Sequence, residues 1–228
     1  MIKAITFDLW GTLIKGSPEY KEARAKYIQE HCENHSIEEI NKTIVDIKRS
    51  YDDAIEKHGI HYTSLVIYQT IINELGIHQL LDGFGLRGVC HNLFIKYPPK
   101  LYSEDTLKSL ENLSKQVPLV LISNTVLIDG GILRPVIETL GIGKYFKAMI
   151  FSSDVHMSKP NPLIYKKAHE MICQRKEHIL HVGDNLITDY NGATEYGFKA
   201  KRINTSRHNI KTIEFLLNNE NTLVHGDN

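Results

Sequence analysis

The stretch that decides the fold is Phe7-Asp8-Leu9-Trp10-Gly11-Thr12-Leu13. It begins at the end of a short apolar segment, residues 2–7, whose composition predicts a buried strand. Packing does not explain a carboxylate placed directly after such a strand. Ligands bind at the carboxyl ends of strands in open α/β sheets, and an aspartate there can act as a nucleophile or a metal ligand. Asp8 is therefore the first candidate catalytic residue.

Strand and helix patterns alternate along the second half of the chain. The predicted strands cover residues 118–122, 148–151, 178–182 and 198–203. The predicted helices cover residues 103–116, 132–140, 162–173, 189–196 and 210–217. Alternation of this kind favours the α/β class, a Rossmann-like parallel sheet with helices on both faces.

Residues 18–97 show a different pattern, which is helical throughout. Ser36 and Glu39 form a capping-box pair before a long polar–apolar segment, and Thr63 is placed to cap the next helix. This segment is bounded by loop-like sequences rich in glycine and proline. The predicted division is a core domain of residues 1–15 and 99–228, and a helical cap domain of residues 16–98.

Composition restricts the classes of partner. The chain has 228 residues, 42% of them hydrophobic, and its 27 basic and 27 acidic residues cancel. Such a balance gives no reason to expect a nucleic acid or an anionic membrane as partner, and no apolar stretch approaches the roughly 20 residues of a membrane span. Asp8 comes too early for a signal peptide, and the three cysteines are odd in number and far apart. We expect a cytoplasmic protein that acts on a small molecule; the sequence makes no prediction of oligomeric state.

Polar residues also follow the other predicted strands. They are Ser123-Asn124-Thr125, Ser152-Ser153-Asp154, and Gly183-Asp184 with Asp189 five residues later, while Ser158-Lys159-Pro160 precedes a helix. Because the carboxyl ends of parallel strands meet at one edge of the sheet, these groups should converge. Hydroxyls and a lysine suit an oxyanion, and three carboxylates suit a hard divalent cation such as Mg²⁺.

Four of the segments described so far, counting the one that contains Asp8, resemble in order and spacing the four motifs of the haloacid dehalogenase superfamily of hydrolases. The first is at residues 8–12, the second at Ser123-Asn124, the third at Lys159-Pro160 and the fourth runs from Gly183 to Asp189. The helical insertion between the first and second motifs resembles the cap of that family, which closes over the active site. The resemblance implies an enzyme that works through a covalent aspartyl intermediate, most readily a Mg²⁺-dependent phosphatase.

The resemblance also implies a role for each matched residue. Asp8 is the nucleophile, and Lys159 balances charge and orients it. Thr12, Ser123, Asn124 and Lys159 hold the transferred group. Apart from the resemblance, we expect Trp10, as an aromatic residue, to form a wall of the substrate pocket whichever reaction occurs. The metal is held by Asp8, the backbone carbonyl of Trp10, Asp184 and, through water, Asp189.

Trp10 departs from the pattern of the phosphatases that this chain resembles. They carry an aspartate there, which protonates the leaving group, and an indole cannot replace it; positioned acid–base catalysis is worth about 10²–10⁴-fold. Dehalogenases of the family carry a tyrosine there but usually lack the paired metal acids that this chain keeps. Phosphonate hydrolases use a cap lysine, for which this chain offers Lys21, Lys26 and Lys48. Three functions therefore remain open: a phosphatase, a hydrolase of carbon–halogen or carbon–phosphorus bonds, and a binding protein without turnover.

Several of these residues also have plain structural interpretations. Asp189 is equally suited to cap its helix. His156, before Lys159, could supply the missing acid but is more typical of a solvated loop. The His31, Cys32 and His35 spacing is too sparse to predict a zinc site. The charged group Lys21, Glu22, Arg24 and Lys26 is typical of a solvated helix face.

Overall fold

A computed structural model describes residues 1–32 and 34–204 of the chain, so the helix predicted at 210–217 lies outside the described residues. The strands are β1 (Ala4–Phe7), β2 (Ile14–Lys15), β3 (Lys100–Leu101), β4 (Leu119–Ser123), β5 (Phe146–Phe151), β6 (Ile179–Gly183) and β7 (Lys199–Arg202). Five of them form a parallel sheet in the order β5-β4-β1-β6-β7. The α/β class predicted from the sequence is confirmed.

Nine α-helices are present among the described residues. Four precede β3: α1 (Pro18–Gln29), α2 (Ile37–His58), α3 (Ser64–Glu74) and α4 (Gly83–Lys96). Five follow it: α5 (Asp105–Ser114), α6 (Gly130–Thr139), α7 (Ser152–Val155), α8 (Pro162–Ile172) and α9 (Gly192–Tyr196). No helix in this part of the chain is both long enough and apolar enough to cross a membrane.

Helices cover both faces of the sheet because successive strand residues point to opposite sides. Ile5 and Phe7 of β1 pack in one apolar cluster with Leu110 and Leu133 of α5 and α6. Ala4 of the same strand lies in a second cluster, which includes side chains of α8 and α9. All four residues of β1 are buried, as expected for the central strand of a doubly covered sheet.

Helices α1–α4 enclose an apolar cluster of their own. It includes Ile28 of α1, Ile40 and Ile44 of α2, Ile67, Tyr68, Ile71 and Ile72 of α3, and Leu86 of α4. The predicted caps are present: Ser36 and Glu39 form a complete capping box before α2, and Thr63 accepts a backbone N–H at the start of α3. At both ends of this segment the chain forms the short antiparallel ribbon of β2 and β3, which the sequence analysis missed because neither strand exceeds two residues.

The start of the helix predicted at residues 189–196 differs from the sequence prediction. A π-helical turn, Leu186–Asn191, runs directly into α9, and its cap is Asn185, whose side-chain oxygen accepts the N–H groups of Ile187 and Thr188. The interpretation of Asp189 as the helix cap is therefore wrong. Because Asn185 satisfies the first free N–H groups of the turn, the carboxylate of Asp189 can point elsewhere.

Candidate active site

The predicted strand ends do meet at one edge of the sheet. Phe7 pairs in register with Leu121 on one side and Val182 on the other, so β1, β4 and β6 end together. Asp8 and Asp184 therefore lie side by side, and Gly11, with φ of 77°, allows the loop after β1 to pass close to Asp184. A Cβ atom at Gly11 would overlap the Asp184 carboxylate, so this close approach requires glycine.

Lys159 is the centre of a buried ion cluster. Its Nζ donates to Asp8 Oδ1 at 2.7 Å and to Asp189 Oδ1 at 2.6 Å, and its side chain is 1% exposed. Burial lowers the pKa of Lys159, but Asp189 and Asp8 outweigh burial and raise it overall. The lysine is therefore charged, and it bridges two carboxylates that would otherwise repel each other.

One lysine does not compensate the three carboxylates. Burial raises the pKa of Asp8 to about 7, with Asp189 and Asp184 adding to the rise and Lys159 opposing it. Burial, followed by the charge of Asp189, also raises the pKa of Asp184. Negative charge at this site is therefore in excess, and a further cation would stabilise the ionised form of both acids.

The residues present fit a divalent cation. Carboxylate oxygens of Asp8, Asp184 and Asp189 lie within 4.8 Å of one another. Asp8 Oδ2 is buried and has no hydrogen-bond partner among the described residues. Hard oxygen donors in a compact group, one of them lacking a partner, are the ligand chemistry that Mg²⁺ takes in proteins.

Asp189 is held from two further directions. The N–H of Asn185 donates to Asp189 Oδ2 at 3.0 Å, and His181 Nε2 lies 3.2 Å from Asp189 Oδ1. The other ring nitrogen of His181 lies 2.7 Å from Thr6 Oγ1. Burial lowers the pKa of His181, which therefore acts as a neutral link in this chain of hydrogen bonds. His181 was not predicted from the sequence, although a histidine inside an apolar strand was a usable signal.

The second motif supports the lysine through its backbone. Asn124 Oδ1 accepts the N–H of Lys159 at 2.8 Å, and its Nδ2 donates to the Lys159 carbonyl at 2.9 Å. The hydroxyl of Ser123 donates to the carbonyl of Asn124 at 3.3 Å. Asn124 thus fixes the loop that carries Lys159. Thr12 is also buried here, and its hydroxyl has no partner among the described residues.

A cavity of about 480 Å³ opens onto these groups. Asp8, Asp184, Asp189 and Lys159 line it on the sheet side, together with Trp10 and Asn124. Thr12 and Ser123 are buried and do not line it. Helices α1 and α2 supply charged groups on the other side, which are Lys21, Arg24, Lys48, Asp52 and Glu56. Substrate-sized space therefore lies between the carboxylate cluster and the helical segment.

The structure corrects the interpretation of one charged group. Arg24 is only 5% exposed, so the expected solvated face of Lys21, Glu22, Arg24 and Lys26 is wrong for this residue. Arg24 lies one turn from the buried Tyr20 and one turn from the buried Ile28, which places it on the inner face of α1. That i, i+4 spacing was the signal in the sequence. Of the candidate cap lysines, Lys21 and Lys48 line the cavity, whereas Lys26 pairs with Glu22 at 2.6 Å.

Two other candidates lie away from the cavity. His156 is exposed in a left-handed conformation, with φ of 55°, and does not line the cavity. In the part of the chain that the structure describes, the carboxylate trio is the only group arranged to hold a metal, so His31, Cys32 and His35 form no zinc site. Cys32, Cys90 and Cys173 are free.

The comparisons with known proteins agree with this geometry. The family model described as haloacid dehalogenase-like hydrolase matches residues 2–197. The chain belongs to this family. The hydrolase is 36% identical to 5-amino-6-(5-phospho-D-ribitylamino)uracil phosphatase YigB of Escherichia coli over 87% of its own length and 82% of that protein.

Two solved structures share the fold of this haloacid dehalogenase-like hydrolase. The HAD-hydrolase YfnB of Bacillus subtilis bound to magnesium has a TM-score of 0.73 at 19% identity, with 95% of this chain and 99% of that chain covered. The 2-haloacid dehalogenase of Pseudomonas syringae pv. Tomato has a TM-score of 0.65 at 18% identity, with 96% and 99% covered. At these identities the likeness shows the fold alone.

Replacement of Lys159 by methionine should strongly destabilise this hydrolase. The variant keeps a stem of similar length but leaves the buried carboxylates of Asp8 and Asp189 without their cation, a change that typically costs about 3–5 kcal/mol. Urea unfolding in EDTA measures the change in the free energy of unfolding. Lys167→Met is the control, because its ion pair with Glu170 is exposed and worth at most about 1 kcal/mol. Equal losses for the two variants would contradict the account of Lys159.

Proposed function

We propose that this hydrolase removes a phosphoryl group from a small phosphorylated molecule through a covalent intermediate on Asp8. The observation that carries the proposal is the group of three carboxylates within 4.8 Å of one another, two of which accept hydrogen bonds from the buried Lys159. Displacement of halide needs no cation, whereas a phosphoryl group brings negative charge that Asp8 can approach only if that charge is balanced. The similarity to a curated phosphatase supports the same choice.

The chain's residues supply the chemistry as follows. An oxygen of the Asp8 carboxylate attacks phosphorus, a bond forms between them, and the bond from phosphorus to the leaving oxygen breaks. Water then attacks phosphorus, the bond between Asp8 and phosphorus breaks, and phosphate leaves with the proton of the water while the carboxylate is restored. Lys159 holds Asp8 through Oδ1 in one orientation and offsets part of the charge of the transferred group.

A magnesium ion, bound by Asp8, Asp184, the Trp10 carbonyl and, through water, Asp189, would supply further balancing charge beside the phosphoryl oxygens. Thr12, Ser123 and Asn124 complete the cradle of the transferred group in this proposal. Asn124 contributes mainly by holding the backbone of Lys159 in place. The Thr12 hydroxyl has no hydrogen-bond partner among the described residues, which leaves it free to donate, although it is buried off the cavity wall.

Trp10 limits the substrates that this arrangement can turn over. Trp10 lines the cavity and stands in the sequence where the phosphatases that this chain resembles carry the acid that protonates the leaving group, and an indole is no such donor. We therefore propose that the natural substrate has a leaving group that departs without a proton, such as the carboxylate of an acyl phosphate. A simple sugar phosphate releases a basic alkoxide and should be a poor substrate.

We also propose that residues 16–98 act as a cap domain over a core of residues 1–15 and 99–228. The four helices of that segment have their own apolar cluster, and three of them, α1, α2 and α4, contribute side chains to the cavity. The Glu56 carboxylate of α2 accepts from Asn185 Nδ2 at 2.6 Å, which ties the segment to the loop that carries Asp184. Closure of this segment excludes water from the phosphoryl group before attack.

Phosphate release from acetyl phosphate, p-nitrophenyl phosphate and a sugar phosphate tests the proposal, each with Mg²⁺ and with EDTA. We expect release that requires Mg²⁺ and is faster for the two activated substrates, because their leaving groups need little protonation. Equal rates in Mg²⁺ and EDTA would contradict the metal site. A sugar phosphate turned over as fast as acetyl phosphate would contradict the role given to Trp10.

A second candidate reaction is the hydrolysis of a carbon–halogen bond. The observation in its favour is Trp10 itself, because halide leaves without a proton and needs no acid at that position. Halide release from 2-chloropropionate in EDTA, without phosphate release from any of the three phosphates, would replace the phosphatase proposal with this one.

A further inference from the structure

We propose that Arg24 binds a second anionic group of the substrate, either a carboxylate or a further phosphoryl group. Arg24 lines the same cavity as Asp8 but lies on α1, on the helical side. The identity of the group that Asp8 attacks rests on the proposed function above. The anion site on α1 rests on independent observations of burial, charge and missing partners.

Arg24 is a buried charge without a counterion. Its side chain is 5% exposed, and its Nε is buried without a hydrogen-bond partner. It forms no ion pair with any residue in ranges 1–32 and 34–204, and its guanidinium carbon lies over the face of the Tyr20 ring, 5.2 Å from the centroid. Burying a guanidinium without an anion beside it is unfavourable, so an anion bound at this point of the cavity would stabilise the folded protein.

The ionisable groups next to Arg24 do not supply this negative charge. Burial raises the pKa of Tyr20 and of Tyr68 above the ordinary value for tyrosine, and it raises the pKa of the Cys90 thiol to about 11. All three groups are therefore neutral near pH 7, although Arg24 favours their ionised forms. The positive charge of Arg24 is directed at neutral side chains and at the cavity.

Apart from Lys21, the other charged residues of α1 and α2 that line the cavity are already engaged. Lys48 pairs with Asp52. Glu56, the remaining acid on the cavity wall, accepts from Asn185. Lys21, one turn before Arg24, also lines the cavity and forms no ion pair within the described structure. The two cations of α1 that face the cavity are thus the ones left for a ligand.

An aromatic wall connects the two ends of the cavity. The ring of Trp10 packs on Phe94 at 6.1 Å, and Phe94 packs edge-on against Tyr20 at 5.5 Å, next to Arg24. All four residues line the cavity. A ligand that extends from Asp8 along this apolar wall reaches Arg24, so the substrate class is a phosphorylated compound with an apolar spacer and a distal anion.

The ratio of kcat/KM for succinyl phosphate to kcat/KM for acetyl phosphate tests this inference. Both are acyl phosphates, and only the first carries a distal carboxylate. We expect wild-type kcat/KM to favour succinyl phosphate, and Arg24→Met to reduce the ratio about 10–100-fold, the value of a charge-assisted hydrogen bond of about 1.5–3 kcal/mol. Arg24→Lys keeps the charge but loses the planar fork, so its ratio should fall less. It also serves as the test if the methionine variant does not fold.

Lys26→Met is the control, because this lysine is on the same helix but is paired with Glu22 and does not line the cavity. Its ratio should match that of the wild type. An unchanged ratio in both Arg24 variants, or the same loss in Lys26→Met, would overturn the inference.

Calorimetric titration with succinate and with inorganic pyrophosphate separates this inference from the proposed function. If neither acyl phosphate is hydrolysed, the proposed function fails, while binding of either anion to the wild type and its loss in Arg24→Met still support the site. The anion that binds more tightly identifies the distal group as a carboxylate or a phosphoryl group. Equal binding of both probes to the wild type and to Arg24→Met would overturn the inference.

Discussion

Replacement of Asp8 by asparagine should lower kcat by about 10⁴-fold or more, the order of loss seen when a covalent nucleophile is removed. The amide has nearly the same shape as the carboxylate but cannot attack phosphorus. The fold should be retained, since the change removes one of three crowded negative charges and with it part of the cost of burying them. Steady-state phosphate release from acetyl phosphate and a urea unfolding curve measure the two effects.

Asp154→Asn is the matched control for this prediction. Asp154 also follows the end of a core strand, but it is exposed, pairs with Arg134 and does not line the cavity. Its kcat should stay within about twofold of the wild type, as expected for a surface substitution. An Asp8→Asn variant that retains full activity would show that the proposed mechanism is wrong.

Replacement of Trp10 by aspartate should raise the turnover of alkyl phosphates by about 10²-fold or more, because it adds a proton donor where the leaving oxygen departs. The gain should be much smaller for acetyl phosphate, whose leaving group needs no proton. Initial rates with glycerol phosphate and acetyl phosphate, both in Mg²⁺, measure the difference.

Trp10→Asn separates acid catalysis from a simple increase in space, because the amide has the size of the carboxylate but is no acid. It should bring no selective gain for alkyl phosphates. If the asparagine and aspartate variants gain equally, the tryptophan limits access rather than protonation. If neither gains, Trp10 does not occupy the position of a missing acid.

The positions of the active-site residues could be predicted because they depend on strand ends. Buried strands can be recognised in the sequence as short apolar runs. In a parallel sheet their carboxyl ends lie at one edge, independently of the conformation of the connecting loops. Asp8, Lys159, Asp184 and Asp189 were found in this way, and the structure places them in one cluster.

The features that escaped prediction depend on competition between neighbours or on contacts distant in sequence. Asn185 and Asp189 are both good helix caps, and the sequence does not decide between them; the buried cation of Lys159 does, because it attracts the carboxylate. His181 gains its role from Thr6, which is 175 positions away. Arg24 was predicted to be solvent-exposed because it is charged. Its i, i+4 spacing from Tyr20 and Ile28, which indicates the buried face of the helix, was given too little weight.

The most direct test of the central claim is the chemical state of Asp8 during turnover. The enzyme is mixed with acetyl phosphate and Mg²⁺, quenched in acid within the first turnovers, and its peptides are analysed by mass spectrometry. The account predicts a phosphoryl group on Asp8 that is absent from the Asp8→Asn variant. An enzyme that releases phosphate while Asp8 stays unmodified, or while the phosphoryl group resides on another residue, would contradict it.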